Sequence, residues 1–386
     1  MKPTPKFRAQ LRLRRAVAHA PARPVVLQLL LGVIASWPLV ACGKSAPPSP
    51  PPPPPAAQPA DAATAPAADH VITINRKCMG TLCEVKVFHH DDALVAKAVE
   101  RGMAEMDRIE ALTTSWTDTS DVAHVNAAAG EKPVKVDPDT LAVVKKGIWV
   151  GDKSHGAFDI TVGVFKGLWR FDEDNDGSLA DPKEVKRRLK LVNYKDVIVD
   201  DTAGTVMLRR KGQRLNLEGL AKGYGVAAAV RAMRAAGIND FIFHAGGDLF
   251  ASGTKGDREW HVGIQDPRAP RGRIIFELPV KNQAFNTSGD YERFVMKNGV
   301  RYHHILDART GFPARACRSV TLLADDAFLA DTLDTAIFAA GPKLGMQIIE
   351  ELPGVEGVII DAKNNVLISS GLKDKLHKVG EPTDGP

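Results

Sequence analysis

From Lys44 to Asp69 the chain is almost entirely proline, alanine and serine, with an unbroken run from Pro50 to Pro55. Such a segment has no side chains with which to build a core, and proline holds it in extended polyproline II geometry. It therefore divides the 386 residues into a leader and one large folded part that begins near His70. That part is long enough to bury a substantial core as one domain or two intimate ones.

The leader has its own logic. Lys2, Lys6, Arg8, Arg12, Arg14, Arg15 and Arg23 precede an uncharged apolar run, Val25 to Ala41, with no carboxylate among them. A basic lead-in followed by a short apolar run is the layout of a secretory signal. The run is short for a permanent span, which needs about 20 apolar residues. It closes on Leu39-Val40-Ala41-Cys42, which resembles the lipobox of bacterial lipoproteins. The expectation is a signal peptide over 1–41, a lipidated Cys42, a stalk over 42–69, a folded domain over 70–375 and a short tail over 376–386. Acyl chains on Cys42 would anchor the chain to a membrane of the cell envelope, facing periplasm or exterior. The net charge of +5 comes from the leader. With the remainder close to neutral, no nucleic-acid partner is expected.

Three cysteines follow Cys42: Cys78, Cys83 and Cys317. An odd number in an oxidising compartment leaves one thiol unpaired. Read as one strand, Cys78 and Cys83 fall on opposite faces and are not expected to pair.

Hydrophobic periodicity predicts hairpins over 71–74 with 81–88 and over 197–199 with 205–208. It predicts helices over 93–113, 141–150, 220–236 and 330–340, and strands over 241–243, 261–264 and 274–279. The order is that of a mixed α/β (α+β) fold, not a regular doubly wound sheet.

Four polar, glycine-rich segments interrupt these runs, where ligands usually meet a scaffold. Asn216 to Gly225 carries Gly219, Gly223 and Lys222 at a helix start, where free amides attract phosphate. Tight helix–sheet packing would explain the glycines equally well. His244-Ala245-Gly246-Gly247-Asp248 reads as a turn after a strand. Asn286 to Phe294 and His303 to Gly311 gather hydroxyls, carboxylates, arginines and two histidines. A histidine there is a natural proton acceptor, and a solvated hairpin is the plainer alternative. On a strand, one of His303 and His304 must point away from any site. Asp331, Asp334 and Thr335 share a helix face at i, i+3 and i+4, which suits Mg²⁺ or Ca²⁺, or else an acidic N-terminal cap. A fifth stretch, Asp172 to Gly177, opens like an EF-hand loop, but Lys183 stands where the closing glutamate belongs, so an exposed acidic loop is expected.

Taken in order, Met79-Gly80-Thr81, Gly156 to Gly163, the Lys222 segment, Gly246-Gly247-Asp248, Thr287 to Tyr291, His304 to Gly311 and the Asp331 helix resemble the blocks of ApbE-type FAD:protein FMN transferases. The resemblance spans about Val71 to Leu372. It implies an ApbE-like fold with a cleft for FAD, and transfer of FMN from FAD to a threonine of an acceptor protein with release of AMP. It implies that Met79, Trp116, Ala157, Phe158, Asp159, Asn216 and Lys222 line the FAD site. Gly219, Asp331, Asp334 and Thr335 would hold Mg²⁺, and His304 would assist proton transfer. The acceptor would carry a Ser/Thr-Gly-Ala-Thr-like site within an electron-transfer complex. Asn216, His244 and Ala308 stand where the family more often has aspartate, asparagine and proline. Two other readings keep the same residues: an Mg²⁺-dependent FAD pyrophosphatase, or a lipoprotein that binds flavin or another solute without chemistry.

Overall fold

The computed structural model describes residues 68–171 and 178–385. The signal segment, Cys42, the stalk and the acidic loop over 172–177 lie outside the described residues. The frame is an eight-stranded sheet whose spatial order follows the chain: β1 (His70–Cys78), β2 (Thr81–His89), β3 (Phe241–Ala245), β4 (Asp248–Ser252), β5 (Gln283–Gly289), β6 (Cys317–Ala324), β7 (Val355–Asp361) and β8 (Val366–Ile368). Every neighbouring pair is antiparallel. Seven helices accompany it among the described residues: α1 (Asp92–Thr113), α2 (Asp121–Ala127), α3 (Pro138–Lys153), α4 (Pro182–Leu189), α5 (Glu218–Ala235), α6 (Ala327–Ala340) and α7 (Pro342–Glu351).

Both faces of the sheet are covered, and strand alternation decides which residue serves which face. Val85, Phe241, Phe243, Ala284, Leu322 and Ala324 join the large core beneath α1, α5 and α6. Their neighbours Ile242, Phe285 and Leu323 face a second core, closed by strands Trp260–Gln265 and Ile274–Val280. Double burial explains why β6 and β7 escape the sequence reading. All eight residues of β6 are buried, so no polar–apolar alternation marks it.

The long helices form for local reasons. Asp91 caps α1 by accepting from the Leu94 amide, and Val95, Ala98, Val99, Met103, Met106 and Ile109 repeat on its buried face. Asp326 caps α6 in the same way, accepting from Leu329. That places Asp331 and Asp334 beyond the first turn and removes the acidic-cap reading.

The cysteine expectation is corrected. Cys78 and Cys83 form a disulfide, with Cα atoms 5.9 Å apart, and Cys317 is the buried free thiol. Met79 and Gly80 both adopt positive φ (43° and 71°), which turns the chain between the cysteines onto two antiparallel strands. They face each other diagonally across a hairpin, where the one-strand assumption does not apply. The residues after 375 are also integrated: His377–Lys378 pairs with strand Ile274–Val280, and Thr383 is bound by Asp266.

Candidate functional site

The helix α5 starts with no side-chain cap from Leu217. Asn216 supplies a substitute, its Oδ1 accepting from the Glu218 amide at 2.8 Å, while its own amide donates to the Ile160 carbonyl. The first turn of α5 is thereby tied to the loop over 156–163. A Cβ on Gly219 would lie 3.2 Å from Phe158 and 3.8 Å from Thr335 Cγ2, so this turn touches that loop on one side and α6 on the other.

On α6, Asp331 and Asp334 are 3% and 1% exposed. The Gly223 amide donates to Asp331 Oδ2, and Thr335 Oγ1 shares hydrogen bonds with Ser288 and Asp334. Burial first, then the neighbouring Asp331 charge, pushes the Asp334 carboxyl well above its ordinary range. Lys222 Nζ stands 3.8 Å from Asp331 but is already paired with Asp248, whose other oxygen accepts from Asn286. Two buried carboxylates sharing one committed lysine repel each other, an arrangement that a hard divalent cation relieves. Among the described residues no group of three or more His, Cys, Asp or Glu gathers for a metal. The oxygen set is two carboxylates, a hydroxyl and the nearby backbone of Gly219.

Trp116 is 72% exposed yet held in place. Its Nε1 donates to Glu218 Oε1 at 2.7 Å, and Lys166 Nζ lies 4.1 Å from the ring centroid while donating to the Ser115 carbonyl. A flat aromatic face fixed at the mouth of α5 is suited to stacking a planar ligand. Met79 reaches the same helix from the hairpin turn, its sulfur 3.2 Å from where a Cβ of Gly225 would sit. Asp159 behaves differently. Both its oxygens are engaged inside the protein, by Thr161 and the Tyr194 amide, so it shapes the loop that presents Phe158. Ala157 is fully buried in that loop, and its carbonyl accepts from Ala308.

The two histidines part at the end of a strand. His303, last residue of strand Val300–His303, turns inward and bonds the Ala314 carbonyl. His304 lies just past the strand with a buried Nδ1 that has no hydrogen-bond partner. Burial, then Arg293, His303 and Lys222, lowers its pKa to about 3, so the ring is neutral. The solvated-hairpin reading fails here: Asn286 is fully buried, and Asp290 is 6% exposed in a bidentate pair with Arg268.

Residues 79–359 match the ApbE family. The chain belongs to that family. A FAD:protein FMN transferase of Treponema pallidum (strain Nichols) is 33% identical over 314 residues, 77% of this chain and 86% of the relative. One from Klebsiella pneumoniae (strain 342) is 29% identical over 304 residues, 78% of this chain and 93% of the relative. The crystal structure of the ApbE protein from Thermotoga maritima MSB8 aligns with a TM-score of 0.72 at 31% identity, over 80% of this chain and 100% of that one. The flavin transferase ApbE from Vibrio cholerae gives 0.70 at 24% identity, over 80% and 99%, a likeness of fold.

In this ApbE-family chain the structure brings Phe158, Gly219, Lys222, Asp331, Asp334 and Thr335 into one neighbourhood, with Trp116 and Met79 reaching α5 from a loop and a hairpin turn. The sequence reading missed Glu218, Lys166, Ser288 and Arg268. Glu218 lies within the singled-out Lys222 segment, but nothing local shows that its partner is a tryptophan about a hundred residues earlier.

Proposed function

We propose that this chain transfers FMN from FAD to a threonine hydroxyl of an acceptor protein, with Mg²⁺, releasing AMP. One observation carries the reading: the amide-rich start of α5 and the buried acidic face of α6 meet beside Lys222, with a pinned Trp116 at the mouth. Asp331, Asp334 and Thr335, with the Gly219 backbone, would hold the ion. When bound, Mg²⁺ neutralises charge growing on the pyrophosphate oxygens.

The chain's own residues do the rest. Trp116 and Phe158 position the ring systems of FAD, and Lys222 with the positive end of the α5 dipole orients its phosphates. The threonine Oγ forms a bond to the FMN phosphorus, the bridging P–O bond breaks, and AMP leaves with its electron pair. His304 Nδ1 accepts the hydroxyl proton; the incoming phosphate charge raises its basicity from its depressed value. The leader supports a lipid anchor at Cys42, which would hold the domain at the bacterial cell envelope on the end of the proline stalk.

Incubation with FAD, Mg²⁺ and an acceptor domain bearing a Ser/Thr-Gly-Ala-Thr-like site tests the reading by intact mass. A gain equal to FMN on the threonine supports it; free FMN and AMP with an unmodified acceptor points to the pyrophosphatase, and intact FAD to a binding protein. Asn216 speaks for hydrolysis less than its departure from aspartate suggests, because its oxygen serves as the cap for α5.

A further inference from the structure

Burial cannot fix the orientation of Trp116. The residue is 72% exposed and stands in the loop that follows α1. A large side chain left free at the surface samples several rotamers, and a ligand that stacks on it must first immobilise it. Here polar contacts from two other segments order the ring beforehand.

The first comes from Glu218, which opens α5. Its Oε1 accepts from Trp116 Nε1 at 2.7 Å and from Ser115 Oγ at 3.3 Å. The second comes from Lys166, just past the turn Gly163–Phe165. Its Nζ lies 4.1 Å from the Trp116 ring centroid and donates to the Ser115 carbonyl at 2.5 Å. The same two side chains thus hold the exposed ring and the buried residue before it. Burial, then Arg214, lowers the Lys166 pKa while Glu218 raises it, so the carboxylate at the ring edge also favours the ammonium over the ring face. The two contacts decide different things. The N–H donates along its own bond, in the indole plane, so the carboxylate fixes how the ring is turned. The ammonium sits over one face and leaves the other to a planar ligand.

We propose that Glu218 is a positioning residue for FAD: with Lys166 covering one face of Trp116, it presents the opposite face, already oriented, to a planar ring of the dinucleotide. The inference deepens the transferase reading and rests on it for the identity of the ligand. Glu218 acts through Trp116, not by touching FAD.

Glu218→Ala and Glu218→Gln lose the same charge at the start of α5, and only glutamine keeps an oxygen for Nε1. Their comparison therefore isolates the hydrogen bond. In the first arm the chain carries isotope-labelled tryptophan and no FAD, and the Trp116 indole signal is identified by its loss in Trp116→Phe. The heteronuclear NOE should report a rigid ring in wild type and Glu218→Gln and a mobile one in Glu218→Ala. In the second arm, FAD binding before any acceptor is added should weaken roughly tenfold in Glu218→Ala, the scale of one charged hydrogen bond. Glu218→Gln should bind FAD at least as tightly as wild type. The weakening should vanish when Trp116→Ala is already present, and Lys166→Met should show the same dependence on Trp116. A ring equally rigid in wild type and Glu218→Ala overturns the proposal. So does an FAD affinity that Glu218→Ala leaves unchanged, or lowers by the same factor with and without Trp116. A wild-type chain that binds no FAD defeats the transferase reading, and the NOE arm then decides alone whether Glu218 fixes the ring.

Discussion

The amide of Gly223 donates to Asp331 Oδ2 at 2.5 Å, so the backbone of α5 meets the acidic face of α6 directly. A Cβ on Gly223 would lie 2.5 Å from the Ala327 carbonyl oxygen and press against Asp331. The glycine is required by this approach, since its φ is not in the left-handed region.

Gly223→Ala should therefore separate the two helices. Overpacking of this kind costs about 1–3 kcal/mol. The urea midpoint should fall, and the stabilisation that Mg²⁺ gives the wild type should shrink with it. A midpoint equal to wild type would mean that α6 yields freely, contrary to its buried setting.

Asp334→Asn should separate stability from function. The raised pKa means that the folded, metal-free protein holds this proton more tightly than the unfolded chain. Its destabilising effect is absent below the ordinary carboxylate pKa and grows as pH rises through the folded value. At pH 8 without metal the variant should be more stable than wild type by on the order of 1 kcal/mol or more, with the difference narrowing toward pH 5. Added Mg²⁺ should raise the melting temperature of the wild type alone. Equal responses of both proteins to Mg²⁺ would remove Asp334 from the ion site.

His304 gives the opposite slope. Its folded pKa of about 3 lies below the unfolded value, so its stabilising contribution is complete above about 6.5 and is lost as pH falls toward 3. His304→Gln should resist acid better than wild type between those limits. Its transfer rate should fall by roughly 10²–10⁴ while FAD still binds. Retained transfer would assign the proton to another group.

The Cys78–Cys83 disulfide straps the turn that carries Met79. Closing so short a loop is worth about 2 kcal/mol in the chain-entropy account. Reduction, or the double serine variant, should lower the melting temperature by several degrees and raise KM for FAD more than it lowers kcat. Cys317 is buried, with its thiol pushed up to about 12, and should resist alkylation throughout. An unchanged KM for FAD after verified reduction would detach the hairpin from the flavin site.

How much was legible follows from how local each cause is. The helix over 92–113 and the hairpin over 197–208 announce themselves because one face is buried and the other is wet. The shared face of Asp331, Asp334 and Thr335 follows from helical spacing alone. By contrast, β6 is buried on both faces, and β5 carries buried Asn286 and is followed by buried Asp290, whose partners lie on other strands and loops, so this polar stretch reads as surface.

The sequence by itself determined the mixed α/β class and which polar blocks stand at element ends, because these depend on composition and on periods of two and 3.6 residues. Only the tertiary structure decided that Gly223 meets Asp331, that Glu218 fixes Trp116, and that Cys78 pairs with Cys83. Each joins residues whose separation along the chain or across a turn says nothing of their distance in space, and that distance is set by how the sheet folds its insertions back upon itself.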